Sequence, residues 1–163
     1  MTSNCYIIDT SSLVQLNRNN PLDVFPTIWK KLEALIKENR LVAPKEVLLE
    51  ISQNDDQLNK WAKNQKKMFK NLTQKQIEIV KKILDKFPSL IDVERKYDAD
   101  PWVIALAAEM ANSSQKTLFQ VKRLIVTEEA RRGNKVRIPL VSDDFSIESI
   151  DVISMFRIEG WKF

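Results

Sequence analysis

The chain of 163 residues contains no histidine and a single cysteine. The first absence excludes Ser-His-Asp and Cys-His nucleophilic catalysis, acid–base hydrolysis run through imidazole, and zinc sites built on histidine. One cysteine excludes an internal disulfide and any cysteine zinc cluster, and it suits a reducing cytoplasm. Cys5 lies inside an apolar run, where a thiol packs as a small hydrophobe. No apolar run approaches the ~20 residues needed to span a bilayer, so no membrane partner is expected. The N-terminus also lacks the basic stretch, apolar core and small-residue cleavage site of a secretory signal. If the protein is an enzyme, its working groups are carboxylates, hydroxyls, lysines and a hard metal ion.

What is present is ordinary in bulk and uneven in detail. At 44% hydrophobic and 29% charged residues, the composition is that of a soluble globular protein. The length fits one domain spanning residues 1–163. The formal charge is +4, yet between Lys60 and Lys86 nine lysines face only Glu78 and Asp85. That segment is therefore +7 and the remainder −3. A basic segment beside an acidic body suits an anionic partner, while any single lysine in it also reads as a solvated helix face.

The organising stretch is Tyr6-Ile7-Ile8-Asp9-Thr10-Ser11-Ser12. A short apolar run ending at a carboxylate reads as a central strand of a parallel sheet, and ligands of such sheets gather at the carboxyl ends of the strands. Asp9 or Ser11 also suits the cap of a following helix. Residues 17–21 read as a loop, and the spacing of Ile28, Trp29, Leu32, Leu35 and Ile36 predicts a helix over 26–38. Leu41-Val42-Ala43 reads as a second strand ending at Pro44, with a helix over 45–52 after it. Leu58, Trp61, Ala62, Met68 and Phe69 predict a third helix. Thr73 caps a fourth, carrying Ile77, Val80, Leu84 and Phe87, which Pro88 closes. These two are expected to form a basic helical hairpin over about 56–88. Residues 102–111 predict a helix apolar on nearly every side, hence buried. Leu124-Ile125-Val126-Thr127 reads as a strand, 131–135 as a basic loop, 139–146 as a short helix and 150–153 as a last strand. The alternation argues an α/β fold, a doubly wound parallel sheet with helices on both faces.

Four places put carboxylates where solvation alone does not explain them. Asp9 ends a strand, Glu50 lies one turn beyond Glu46 on a helix, Asp98 and Asp100 precede the buried helix, and Glu128 and Glu129 follow a strand. Converging carboxylates repel one another unless a cation joins them, and oxygen-only ligands suit Mg²⁺ or Mn²⁺. Each has a plainer role as well. Asp100 before Pro101 reads as a helix cap, Glu50 as an exposed helix residue, and only one of Glu128 and Glu129 is expected to point inward. Asp143-Asp144 reads as a surface helix start rather than a ligand pair.

In order and spacing, Tyr6-Ile7-Ile8-Asp9-Thr10-Ser11-Ser12, Lys45-Glu46-Val47-Leu48-Leu49-Glu50-Ile51, Asp98-Ala99-Asp100-Pro101-Trp102-Val103-Ile104-Ala105 and Val126-Thr127-Glu128-Glu129 resemble the acidic motifs of PIN-domain nucleases, among them the VapC-like toxins. They resemble in particular a PIN-like branch of unassigned function with the same Asp-Pro-Trp helix start, Thr-Glu-Glu strand end and closing Gly160-Trp161-Lys162-Phe163. The resemblance implies a Rossmann-like sheet and a cytoplasmic, metal-dependent endoribonuclease, with one or two Mg²⁺ or Mn²⁺ ions held by Asp9, Asp100 and Glu129. It makes Glu50 the catalytic acid of the helix after the second strand and Glu129 the fourth acid in chain order, with Glu128 as its alternate and Thr10, Ser11, Asp98 and Glu128 in support. Glutamate at the fourth place departs from the usual aspartate. RNA would be the substrate, with Lys63, Lys66, Lys67, Lys70, Arg131 and Arg132 as candidate phosphate contacts and Trp61 or Tyr97 as stacking platforms. A toxin–antitoxin setting, a protein antitoxin and a homodimer are implied by the same resemblance. The contrasting expectation is a PIN-like module that binds RNA or a protein without cutting. A phosphatase of the haloacid-dehalogenase type is set aside, because its second aspartate is replaced by Ser11.

Overall fold

The computed structural model describes residues 3–54, 56–92, 94–112, 121–129 and 136–163. Five strands, β1 (Ser3–Ile8), β2 (Leu41–Pro44), β3 (Phe69–Lys70), β4 (Val121–Val126) and β5 (Glu148–Ile150), form one sheet in the order β3-β2-β1-β4-β5. Every pairing is parallel. Tyr6 and Ile7 of β1 stand beside Leu41 and Val42, and on the other side Ile8 stands beside Val126. Cys5, Tyr6, Ile7 and Ile8 are all buried. Since successive strand side chains point to opposite faces, both faces of the sheet are covered. This is why the central strands read as apolar runs with no alternation.

Eight helices flank the sheet among the described residues: α1 (Thr10–Asn19), α2 (Pro26–Lys37), α3 (Lys45–Ile51), α4 (Gln57–Asn64), α5 (Gln74–Lys86), α6 (Asp100–Asn112), α7 (Ile138–Asp144) and α8 (Val152–Ile158). The Rossmann-like α/β architecture is the one expected. α6 packs across β1, β2 and β4, with Val103 to Ala108 buried on all sides. Its low amphipathicity results from that position, since no face meets bulk water. Thr73 caps α5 by accepting from the Gln76 amide at 3.1 Å, and a 3-10 turn at Pro88–Leu90 ends it.

Three local expectations need correction. The predicted loop at residues 17–21 begins too early, because α1 runs to Asn19. Leu13 and Leu16 bury one turn apart, and the Asn20 amide still bonds to the Leu16 carbonyl at 2.7 Å. The basic hairpin is interrupted. α4 stops at Asn64, and Phe69 and Lys70 form an edge strand beside Ala43 and Pro44 instead of a last helical turn. The Ala43 amide donates to the Met68 carbonyl at 2.9 Å, which ties this short edge strand to β2. Accordingly α4 packs on α3 and α1, and α5 packs on α6. Finally, the last strand ends at Ile150. Asp151 accepts from the Ser154 amide at 2.7 Å and caps α8, so Val152 and Ile153 are helical.

Candidate functional site

The sheet delivers its acids to one edge. Past Ile8 and Val126, paired in register, the Asp9 amide donates to the Val126 carbonyl at 2.8 Å, and the Thr127 amide donates to the Ile150 carbonyl at 2.9 Å. Asp9 is 2% exposed. Its Oδ1 accepts from the Thr10 amide at 2.7 Å, capping α1, and its Oδ2 accepts from Ser11 Oγ at 2.8 Å and Thr127 Oγ1 at 3.0 Å. The capping role is therefore real, and it leaves the carboxylate at the carboxyl end of β1.

α6 brings Asp100 to the same place, and the residues after β4 bring Glu129. Ligand oxygens of Asp9, Asp100 and Glu129 lie within 4.8 Å of one another. Asp100 sits inside the first turn of α6 rather than at its cap, since the first helical bond runs from the Val103 amide to the Ala99 carbonyl at 2.9 Å. The Glu128–Glu129 ambiguity resolves by hydrogen bonding. Glu128 Oε1 accepts from the Val152 amide at 3.0 Å and from Ser12 Oγ at 3.3 Å, which commits it to the start of α8. Glu129 turns to the acids, its Oε2 accepting from the Ile138 amide at 2.9 Å.

Glu50 stands beside the trio on α3. Its Oε1 accepts from Thr10 Oγ1 at 2.9 Å and from the Ala99 amide at 3.1 Å, so it is neither exposed nor idle. Asp98 braces the approach to α6, accepting from the amides of Asp92 at 2.9 Å and Asp100 at 3.3 Å. No ion pair among the described residues reaches Asp9, Glu50, Asp100 or Glu129.

The electrostatic consequence is uniform in direction. Burial, with Glu129 nearby, raises the Asp9 carboxyl, although the Ser11 and Thr127 hydroxyls and the Thr10 amide oppose the rise. Burial and then the charge of Asp9 push Glu50 up to about 7 against the Thr10 hydroxyl and Ala99 amide. Asp100 is lifted furthest, to about 9, first by burial and then by Asp9, Glu129, Asp98 and Glu50. Acids gathered this way, without a lysine or arginine among them, are stabilised by protons or by a small divalent cation. Three carboxylates from three segments, at this separation, fit an oxygen-liganded ion that keeps waters of its own.

A family model described as "Domain of unknown function (DUF4411)" matches residues 6–163. The chain is a member of the DUF4411 family. Neither a curated protein nor a solved structure matches it. The match runs through all four acids and to the final Phe163 of this DUF4411 protein.

The remaining predicted contacts are distributed less evenly. Lys63, Lys66 and Lys67 are exposed, and Lys70 is half-buried on β3. Arg131 and Arg132, with the rest of the basic loop at 131–135, lie outside the described residues. Trp61 is a core residue and not a stacking platform. It is buried edge-on against Trp29, with ring centroids 4.8 Å apart, and its indole N–H donates to Glu33 at 2.9 Å. Tyr97 is half-buried on the wall of a cavity beside Glu50. Sequence reasoning gave Thr127 no role, yet its buried hydroxyl holds Asp9. A hydroxyl one residue past a strand that pairs with β1 is the signal that could have found it. No helix among the described residues is long and apolar enough to cross a membrane.

Proposed function

We propose that this DUF4411 protein is a Mg²⁺- or Mn²⁺-dependent endoribonuclease of PIN type that cuts single-stranded or structured RNA in the cytoplasm. Its proposed setting is as the toxin of a toxin–antitoxin pair. The observation that carries the reading is the meeting of Asp9, Asp100 and Glu129, whose oxygens lie within 4.8 Å at the carboxyl edge of the sheet. In this reading those three acids hold the ion. When bound, the ion supplies positive charge to the scissile phosphate and makes water more acidic. Glu50, fixed by Thr10 and Ala99, would orient the attacking water and take its proton. The attack is in line, and the 3′ oxygen leaves. Lysines along α4 and β3 attract the RNA backbone.

The test is cleavage of single-stranded RNA in Mn²⁺ by the wild-type protein and by Asp9→Asn. The expected result is cutting that stops in EDTA and in the variant. Cutting that continues unchanged in both rules the mechanism out. One observation favours a second reading, an RNA-binding module without turnover: Glu129 has one carboxylate oxygen engaged by the Ile138 amide, which weakens it as a ligand. That module would bind RNA with steep salt dependence and give no heat of Mn²⁺ binding.

A further inference from the structure

Beside the acids lies a cavity of about 480 Å³, within the range of small-molecule pockets. Thr10, Val14 and Asn17 line one wall at helical spacing along α1. The opposite wall is the end of α3 and the turn just beyond it, with Glu50, Gln53 and Asn54. Tyr97 closes the cavity from the segment that leads into α6. Thr10 and Glu50 are bonded to each other at 2.9 Å, and the Thr10 amide is bonded to Asp9, so cavity and acid cluster share a partition.

We propose that this cavity is a nucleobase subsite, seating one unpaired base of the RNA strand next to the phosphate at the acids. The proposal takes its RNA ligand from the nuclease reading above. The lining chemistry argues for a base and against a phosphate. Glu50, Asp56 and Glu94 face Arg95 and Lys96 around the cavity, so it has no net pull on an anion. Asp56 is already engaged in capping α4 through the Asn59 amide at 2.9 Å. What remains is a phenol ring, the apolar side chains of Val14, Ile51 and Leu58, the Thr10 hydroxyl already given to Glu50, and three side-chain amides, Asn17, Gln53 and Asn54. Amides offer donors and acceptors together, which is what the edge of a base requires, while an aromatic ring supplies its stacking surface. The Asn17 side-chain oxygen is buried with no hydrogen-bond partner, so the protein's own hydrogen bonds make no use of it. The Lys96 ammonium lies 5.4 Å from the centre of the Tyr97 ring, which places a cation at the rim for the neighbouring phosphate.

The test compares wild type, Tyr97→Ala and Tyr97→Phe in EDTA, so that no strand is cut. Fluorescence anisotropy measures binding of an unpaired oligoribonucleotide of about eight nucleotides, a length typical of single-strand sites, and of a ribose-phosphate oligomer of equal length without bases. Losing a stacked base weakens binding about tenfold. The expected result is that loss for Tyr97→Ala on the base-bearing strand, no loss on the abasic one, and retention by Tyr97→Phe. Wild-type binding by Tyr97→Ala, an equal loss on both oligomers, or no RNA binding by any form overturns the subsite. Cleavage in Mn²⁺ is read in parallel. Base-dependent binding without cleavage upholds the subsite and refutes the nuclease. Cleavage abolished by Asp9→Asn, with binding indifferent to Tyr97→Ala, does the reverse.

Discussion

Replacing Asp100 by asparagine should stabilise the metal-free protein, and the gain should depend on pH in a defined direction. The side chain is held near Asp9 and Glu129, and its carboxyl is raised from 3.8 to about 9 by burial and by four neighbouring acids. A raised carboxyl means that the folded chain keeps a proton the unfolded chain has released. Stability from this group is fully present below 3.8 and is lost progressively as pH climbs toward 9. At 1.36 kcal/mol per pH unit, the loss at about pH 7.5 is about 5 kcal/mol. Halving that figure for water admitted to the cleft leaves about 2–3 kcal/mol. Asparagine keeps the shape and removes the charge. In EDTA at about pH 7.5, Asp100→Asn should therefore melt about 5–10 °C above wild type, with a difference below about 1 kcal/mol at about pH 4.5. Adding Mn²⁺ should raise the wild-type transition and leave the variant's in place. Urea or thermal unfolding followed by circular dichroism reads all four conditions. An Asp100→Asn protein less stable than wild type at neutral pH, or a difference that ignores pH, would refute the claim that these acids repel one another in the fold.

Two further outcomes separate neighbouring side chains. Glu129→Gln should weaken Mn²⁺ binding by about 10-fold or more in calorimetry, while Glu128→Gln should leave metal affinity intact and cost about 1 kcal/mol in urea unfolding through the start of α8. Converting Lys63, Lys66 and Lys67 together to glutamine should reduce the slope of log affinity for single-stranded RNA against log salt by about 2. An unchanged slope in anisotropy titrations would move the RNA path off the end of α4 and the turn that follows it.

The sheet was legible where burial on two faces leaves a plain signature. Tyr6-Ile7-Ile8 and Leu41-Val42-Ala43 are apolar without alternation, because parallel strands under helices have no wet side. Asp9 was legible for the complementary reason, as a charge that ends such a run. β3 was not. Its two residues lie in a lysine-rich stretch whose apolar members also fit a helix, and only pairing with Ala43 and Pro44 makes them a strand. Glu128 and Glu129 could not be told apart in advance, since adjacent residues at a strand end point different ways and the choice rests on the Val152 and Ile138 amides, supplied by later elements. Trp61 was ambiguous because an indole on a basic helix suits RNA as well as core. Its partners Trp29 and Glu33 belong to α2, which periodicity cannot place against α4.

The three hydroxyls after Asp9 explain how the acids are kept in place without being neutralised. They sit on successive positions at the start of α1, about 100° apart around the helix axis, so each meets a different neighbour. Thr10 reaches Glu50 from α3, Ser11 reaches Asp9 itself, and Ser12 reaches Glu128 beside α8. Thr127 adds a fourth hydroxyl from the end of β4, again to Asp9. Lysine or arginine in these places would have fixed the same geometry more strongly, but each would have cancelled a charge and occupied the oxygens a cation needs. A neutral O–H donor takes one lone pair, orients the carboxylate and leaves its charge in place. The raised carboxyls of Asp9, Glu50 and Asp100 are the cost of that choice, and in the metal-dependent reading proposed above a bound cation would offset it.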